Sequence, residues 1–280
     1  MGLLRLNTLL GDYPVTHALK QGRVASGSVA LELADVHPPS SGFKRVVRDL
    51  AFDVAELSMT TFLMARAAGK PYRLLPAVVL ARLQHDRLVR NAGRPAFGPG
   101  ELYGKTIGVR MYSVTTAMWL RGVLAEDYGV DASRIRWVTL EEGHVAEFAD
   151  PAWVERAPAG KDLTAMLLEG EVDAVVTGDG KVADPRIVPV IPDVAVAAQA
   201  WRTRKGAIQV NHMVVAKDTV SEATAAEVSR MLEASIRAAG SPELNPFGLE
   251  ANRRNLEVAI DYVHRQGLIP RRYTVEELYR

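Results

Sequence analysis

Histidine is the side chain of this 280-residue chain best suited to moving a proton near neutral pH, and some of its histidines adjoin strand-like runs. Six histidines are present, at positions 17, 37, 85, 144, 212 and 264. His85 and His212 stand out because each adjoins a strand-like segment near a change of domain. An imidazole donates a proton near neutral pH, so either suits general acid chemistry. The competing reading for each is a structural ring satisfied by backbone at a strand edge. His37, beside two prolines, and His264, on a charged helix face, fit that structural reading better. No His-x-His or His-Glu-x-x-His spacing occurs, so no metal-ligand set is read. The absence of cysteine excludes thiol nucleophiles, disulfides and cysteine-bound metals. There is no Gly-x-Ser-x-Gly elbow and no phosphate loop, and GDGKVAD at 178–184 is too short to mark a nucleotide site.

Short polar residues are the second chemical resource. Asp12 and Tyr13 follow Gly11, Ser58, Thr60 and Thr61 end a second run, and Tyr112, Ser113, Thr115 and Thr116 end a third. Thr177, Gly178 and Asp179 offer a fourth. The third group lies in the most telling stretch, GKTIGVRMYSVTTAMWLRGVLAEDYGV over 104–130, which reads as strand, tight turn and helix. Its hydroxyl residues are N-cap candidates, Trp119 belongs to its apolar face, and Gly129 can stop the helix. A helix start of this kind offers backbone N–H groups and the positive end of a dipole to a carboxylate or phosphate. Arg110, immediately before it, is better placed to assist than Arg82, Arg87 or Arg121. The alternative is a capped helix that holds no ligand. Recurrence of such strand ends favours a small anion gripped by hydroxyls and backbone donors in a common cleft.

The elements that must position these groups alternate between strand and helix. Strands are expected at Leu3–Leu10, Val29–Ala34, Val54–Leu57, Leu74–Ala81, Thr106–Val109, Ile135–Leu140, Val172–Thr177 and Met213–Ala216. Short helices follow Tyr13 and Ser41, and 141–158 reads as a polar loop. Two long helices, Ser221–Ala239 and Glu250–Gln266, carry mixed apolar and charged faces suited to packing on a sheet. The pattern is α/β, with ligands expected at the carboxyl ends of strands. The length suits two modest domains, and the Gly/Pro-rich loop AGRPAFGPG over 92–100 is the expected first crossing between them. Basic and acidic residues balance at 34 and 33, which gives no electrostatic case for nucleic acid. No apolar run approaches the roughly 20 residues needed to span a bilayer. The N-terminus lacks a long apolar signal core, and a cytoplasmic protein is expected.

Taken together, GDYPVTHALKQGRV, FDVAELSMTTF, the 104–130 stretch, LTAMLLEGEVDAV, NHMVVAKD and the tail PFGLEANRRNLEVAIDYVHRQGLIPRRYTVEELY resemble the 4,5-dihydroxyphthalate decarboxylase family. The words occur in the family's order from end to end, and the tail and the 104–130 stretch are the specific ones. The chain departs from the family by contractions around Arg82–Asn91 and between Thr177 and Ala200. Gln84 stands where an arginine is expected before His85, and Arg110 where a small or ring residue is usual.

The resemblance implies a two-lobed, type 2 periplasmic-binding-protein-like α/β fold with a ligand cleft between lobes. One lobe would comprise 1–93 and 205–280, the other 94–204. It further implies a carboxy-lyase that removes carbon dioxide from a hydroxylated aromatic acid without an organic cofactor. The expected partner is a small aromatic carboxylate, with no nucleic acid or membrane; a homo-oligomer is left open. Chemically, a ring hydroxyl para to the carboxylate supplies electrons while an acid protonates the ipso carbon; carbon dioxide then departs as aromaticity returns. Helix-start donors near Ser113–Thr116 with Arg110 suit the carboxylate, and His212 or His85 suits the proton, with Asp12 or Glu56 the acidic groups left if neither does. Rival readings are a cytoplasmic binding protein of the same fold, a chorismate-dehydratase-like lyase, and an interaction protein without a ligand.

Overall fold

The computed structural model describes residues 2–178 and 184–280. Its strands are β1 (Leu4–Leu9), β2 (Val29–Leu33), β3 (Val54–Ser58), β4 (Tyr72–Ala81), β5 (Leu88–Asn91) and β6 (Thr106–Val109), then β7 (Arg136–Thr139), β8 (Val154–Arg156), β9 (Ala174–Val176), β10 (Ile187–Pro189) and β11 (Val210–Lys217). The helices are α1 (His17–Lys20), α2 (Phe43–Val47), α3 (Met59–Ala67), α4 (Thr115–Tyr128), α5 (Leu163–Glu169), α6 (Val194–Lys205), α7 (Glu222–Ala238) and α8 (Leu249–Arg265). The chain divides into two compact units, Met1–Arg82 with His144–Glu147 and Ile208–Arg280, and Leu83–Gly143 with Phe148–Ala207. No helix among the described residues is long and apolar enough to cross a membrane.

Unit 1 is built on a five-stranded sheet of order β2-β1-β3-β11-β4. β1 runs parallel to β2 and β3, whereas β11 is antiparallel to both β3 and β4. Helix α7 covers part of it because Ser221 caps its start, accepting the Thr224 N–H at 3.2 Å, and its buried residues recur at three- and four-residue intervals. Val228, Met231, Leu232 and Ile236 join Leu6, Val54, Leu75, Val79 and Val214 in one core. Each such side chain contributes about 1.5–3 kcal/mol when fully buried. The two-residue period of a strand puts Val54, Glu56 and Ser58 on one face, and Ala216, Val214 and His212 on one face. The apolar row beneath α7 therefore runs directly into Glu56 and His212.

Unit 2 carries a six-stranded sheet of order β10-β5-β9-β6-β7-β8. β6, β7, β8 and β9 form the parallel part, and β5 is antiparallel to its neighbours β9 and β10. Trp119, Trp137 and Trp201 are wholly buried in this unit. Gly129 ends α4 at φ 65°, a left-handed conformation that residues with a Cβ resist, which is the stop read in the sequence.

Three expectations are corrected. The chain enters unit 2 at Leu83, ahead of the Gly/Pro-rich loop, because β5 already pairs with β9 and β10. The stretch 141–158 is not wholly loop: Val154–Arg156 adds a three-residue edge strand beside β7, and His144–Glu147 belongs with unit 1. The cap of α4 is Val114, in an extended conformation and without a side-chain cap, rather than one of the neighbouring hydroxyl residues.

Candidate active site

The carboxyl ends of β1 and β3 lie side by side, since Leu9 pairs with Ala55. β11 runs the other way, so its beginning comes to the same edge, with His212 opposite Ser58 and Val214 opposite Glu56. Glu56 and His212 are thus diagonal neighbours on one face, within reach of long side chains. Toward β4 the register of β11 shifts on both sides of His212, the kind of irregularity that re-aims a side chain.

Glu56 is 0 % exposed, an acidic side chain inside a strand whose every residue is buried. An unpaired charge there would cost several kcal/mol, and three groups attend to it. The Gly11 N–H donates to Oε2 at 2.5 Å, and the Tyr13 hydroxyl donates to Oε1 at 2.8 Å. His212 Nδ1 lies 2.9 Å from the same Oε1. Gly11 is glycine for lack of room: a Cβ would stand 2.6 Å from the Tyr13 ring and 2.8 Å from Glu56 Oε2. The turn behind it is tied by Thr16, whose hydroxyl donates to the Gly11 carbonyl and accepts the Tyr13 N–H.

A second imidazole completes the group. Ser58 donates to Thr61 Oγ1 at 2.7 Å, and Thr61 Oγ1 lies 2.8 Å from His144 Nδ1. Arg48 Nε holds the His144 carbonyl at 2.8 Å, and Lys70 pairs with Glu147 at 2.6 Å. The Phe43 ring meets both imidazoles edge-on, at centroid distances of 5.2 Å from His212 and 5.5 Å from His144.

Of the residues singled out in the sequence, Tyr13, Glu56, Ser58, Thr61 and His212 come together here. Asp12 points elsewhere, pairing with the half-exposed His17 at 3.0 Å, and that hydrogen bond lowers its pKa. Thr60 is buried in the first turn of α3. The remaining candidates belong to unit 2. Ser113, Thr115 and Thr116 are buried around the start of α4, and Arg110 is bound to Glu141 at 3.4 Å. Tyr112 is buried with Trp137 and with Arg121, which donates to its carbonyl and lies 4.0 Å from its ring centre. His85 is 1 % exposed, edge-on to Trp201, and neither ring nitrogen has a hydrogen-bond partner among the described residues. Burial pushes its pKa down to about 4, so the ring is neutral at pH 7. Asp179 lies outside the described residues.

Phe43 and His144 are the members that the sequence reading did not put in the site; Glu56 entered it only as a fallback acid, and Gly11 only as the residue before Asp12 and Tyr13. The usable signal was Glu56: an acidic residue in the apolar word DVAEL is out of pattern for a buried strand. Nothing in the spacing links His144 to Thr61, 83 positions away.

No family model matches the chain. Its fold matches that of the periplasmic aliphatic sulphonate binding protein from Escherichia coli with a TM-score of 0.56, covering 100 % of this chain and 97 % of that one. At 14 % identity the likeness shows the fold alone, which is periplasmic-binding-protein-like. Two relatives named 4,5-dihydroxyphthalate decarboxylase are closer in sequence. That of Comamonas testosteroni is 28 % identical over 240 residues, 79 % of this chain and 71 % of the relative. That of Pseudomonas putida is 32 % identical over 184 residues, 63 % of this chain and 71 % of the relative. The chain belongs to the 4,5-dihydroxyphthalate decarboxylase family, whose matched members are named as decarboxylases.

Proposed function

We propose that this protein decarboxylates a hydroxylated aromatic carboxylic acid of the 4,5-dihydroxyphthalate type, without a cofactor, and that His212 is the general acid. The observation that carries the reading is the hydrogen-bonded array of Tyr13, Glu56 and His212 at the strand ends of unit 1. Such a reaction needs one proton placed on the ring carbon that bears the carboxylate. A ring hydroxyl para to that carbon supplies the electron pair that makes it basic. Protonation interrupts aromaticity, and expulsion of carbon dioxide restores it. An imidazole hydrogen-bonded to a buried carboxylate is held in one orientation, as positioned proton donation requires. His85 is the weaker candidate, since its ring is uncharged at pH 7 and stays so down to about pH 4. The names of the two relatives support the substrate class.

The test is release of carbon dioxide by the purified chain from a panel of hydroxylated benzoates and phthalates. Turnover of 4,5-dihydroxyphthalate with the para-hydroxyl required is the expected result. Tight binding across the panel without gas release would make this a binding protein instead.

A further inference from the structure

The three groups around Glu56 are not interchangeable, and their chemistry decides where the His212 proton sits. The Gly11 N–H is a donor and nothing else, and it faces Oε2. The Tyr13 hydroxyl donates to Oε1, and His212 Nδ1 faces that same oxygen. A carboxylate ion only accepts, so Nδ1 must be the nitrogen that carries a hydrogen. In the neutral ring Nε2 is then the bare nitrogen, and in the protonated ring the Nε2 hydrogen is the one that can leave. Nδ1 makes the only side-chain hydrogen bond of His212 among the described residues.

We propose that Glu56 is the positioning residue of this enzyme: together with Gly11 and Tyr13 it holds the His212 hydrogen on Nδ1 and reserves Nε2 for proton exchange with the substrate. The inference rests on His212 being the general acid. In the step it serves, the Nε2–H bond of the imidazolium breaks as a C–H bond forms at the ipso carbon. The C–C bond to the carboxylate then breaks, its electron pair returns to the ring, and carbon dioxide leaves. The imidazole remains neutral with its Nδ1–H still donated to Glu56, and a solvent proton at Nε2 resets it. No oxidant or reductant enters the step.

Glu56→Gln tests this with an outcome that a merely structural role would not produce. The backbone N–H of Gly11 cannot turn into an acceptor, so the amide oxygen of the new side chain must face it. Its NH2 group then faces Tyr13 and His212, and Nδ1 has to accept. The substitution is nearly isosteric, yet it moves the hydrogen of the neutral ring from Nδ1 to Nε2.

The experiment is 15N-histidine labelling with two-bond 1H–15N correlation at a pH where the ring is neutral, alongside steady-state kinetics on 4,5-dihydroxyphthalate. The parent should show the Nδ1–H pattern for His212, and the variant the Nε2–H pattern. The kcat should fall about 100-fold while KM stays within about threefold, with a parent-like circular dichroism spectrum. A parent ring that is Nε2–H overturns the proposal, and this needs no variant to fold. A Glu56→Gln enzyme at the parent kcat also overturns it. Failure of the underlying reading is separate: there His212→Gln itself would retain turnover.

Discussion

Glu56 Oε1 and His212 Nδ1 lie 2.9 Å apart although 156 residues separate them along the chain. Their meeting follows from the antiparallel pairing of β3 with β11, which sets His212 opposite Ser58 and so diagonal to Glu56. Slipping this register by one residue would turn His212 to the other face of the sheet. The acid–base pair is therefore a property of the sheet and not of a loop.

Gly11→Ala should damage that pair without touching either member. The added methyl would stand 2.6 Å from the Tyr13 ring and 2.8 Å from Glu56 Oε2, so the ring and its hydroxyl must move away. A stability loss of about 1–3 kcal/mol is expected from overpacking, together with at least a tenfold loss of kcat. Gly100→Ala is the control, since a Cβ there meets nothing within 4 Å. Equal urea midpoints and turnover for the two variants would show that the Gly11 turn does not support the site.

The hydroxyl-rich start of α4 was read as a grip for a substrate carboxylate, and it gives a prediction of its own. No side-chain cap covers the start of α4, and Thr115 is its first residue. A lost hydrogen bond to a charged group costs about 1.5–3 kcal/mol, so Thr115→Val should raise the dissociation constant roughly 10- to 150-fold. Calorimetric titration with 4,5-dihydroxyphthalate measures it. An unchanged constant would remove the carboxylate from this helix.

His85 should act on stability rather than on chemistry. Its pKa falls from 6.5 to about 4 on folding, because burial disfavours the charged ring. Between these values the unfolded chain takes up a proton that the folded chain refuses. The contribution is intact above pH 6.5 and is lost progressively as the pH falls toward 4, by about 2 kcal/mol at pH 5. His85→Leu should therefore lose less stability than the parent between pH 7 and pH 5. Parallel losses in denaturant titrations at the two pH values would contradict this assignment.

The fold was legible where local pattern and tertiary packing agree. The word FDVAELSMTTF reads as strand then helix because apolar residues continue across a polar strand end, and β3 and α3 occupy it. Ser221 and Gly129 read correctly as start and stop because capping is a short-range matter. What the sequence conceals is set by pairing at a distance. A three-residue edge strand such as β8 has too little periodicity to announce itself, and it exists because β7 offers it an edge. The cap of α4 was misread because four hydroxyl residues crowd one turn, and the backbone there makes Val114 the extended residue. In the site, Gly11, Tyr13, Ser58 and His212 stand at strand ends that are visible in the sequence, whereas His144 enters through three-dimensional proximity alone.

The role of His212 as proton donor is decided by single-turnover release of carbon dioxide from 4,5-dihydroxyphthalate, compared among the parent, His212→Gln and His264→Gln. Positioned proton transfer contributes about 10²–10⁴-fold to rate. If His212 is that donor, His212→Gln loses a factor in that range while still binding the substrate, and His264→Gln releases carbon dioxide at the parent rate. Parent-rate release by His212→Gln would contradict that role.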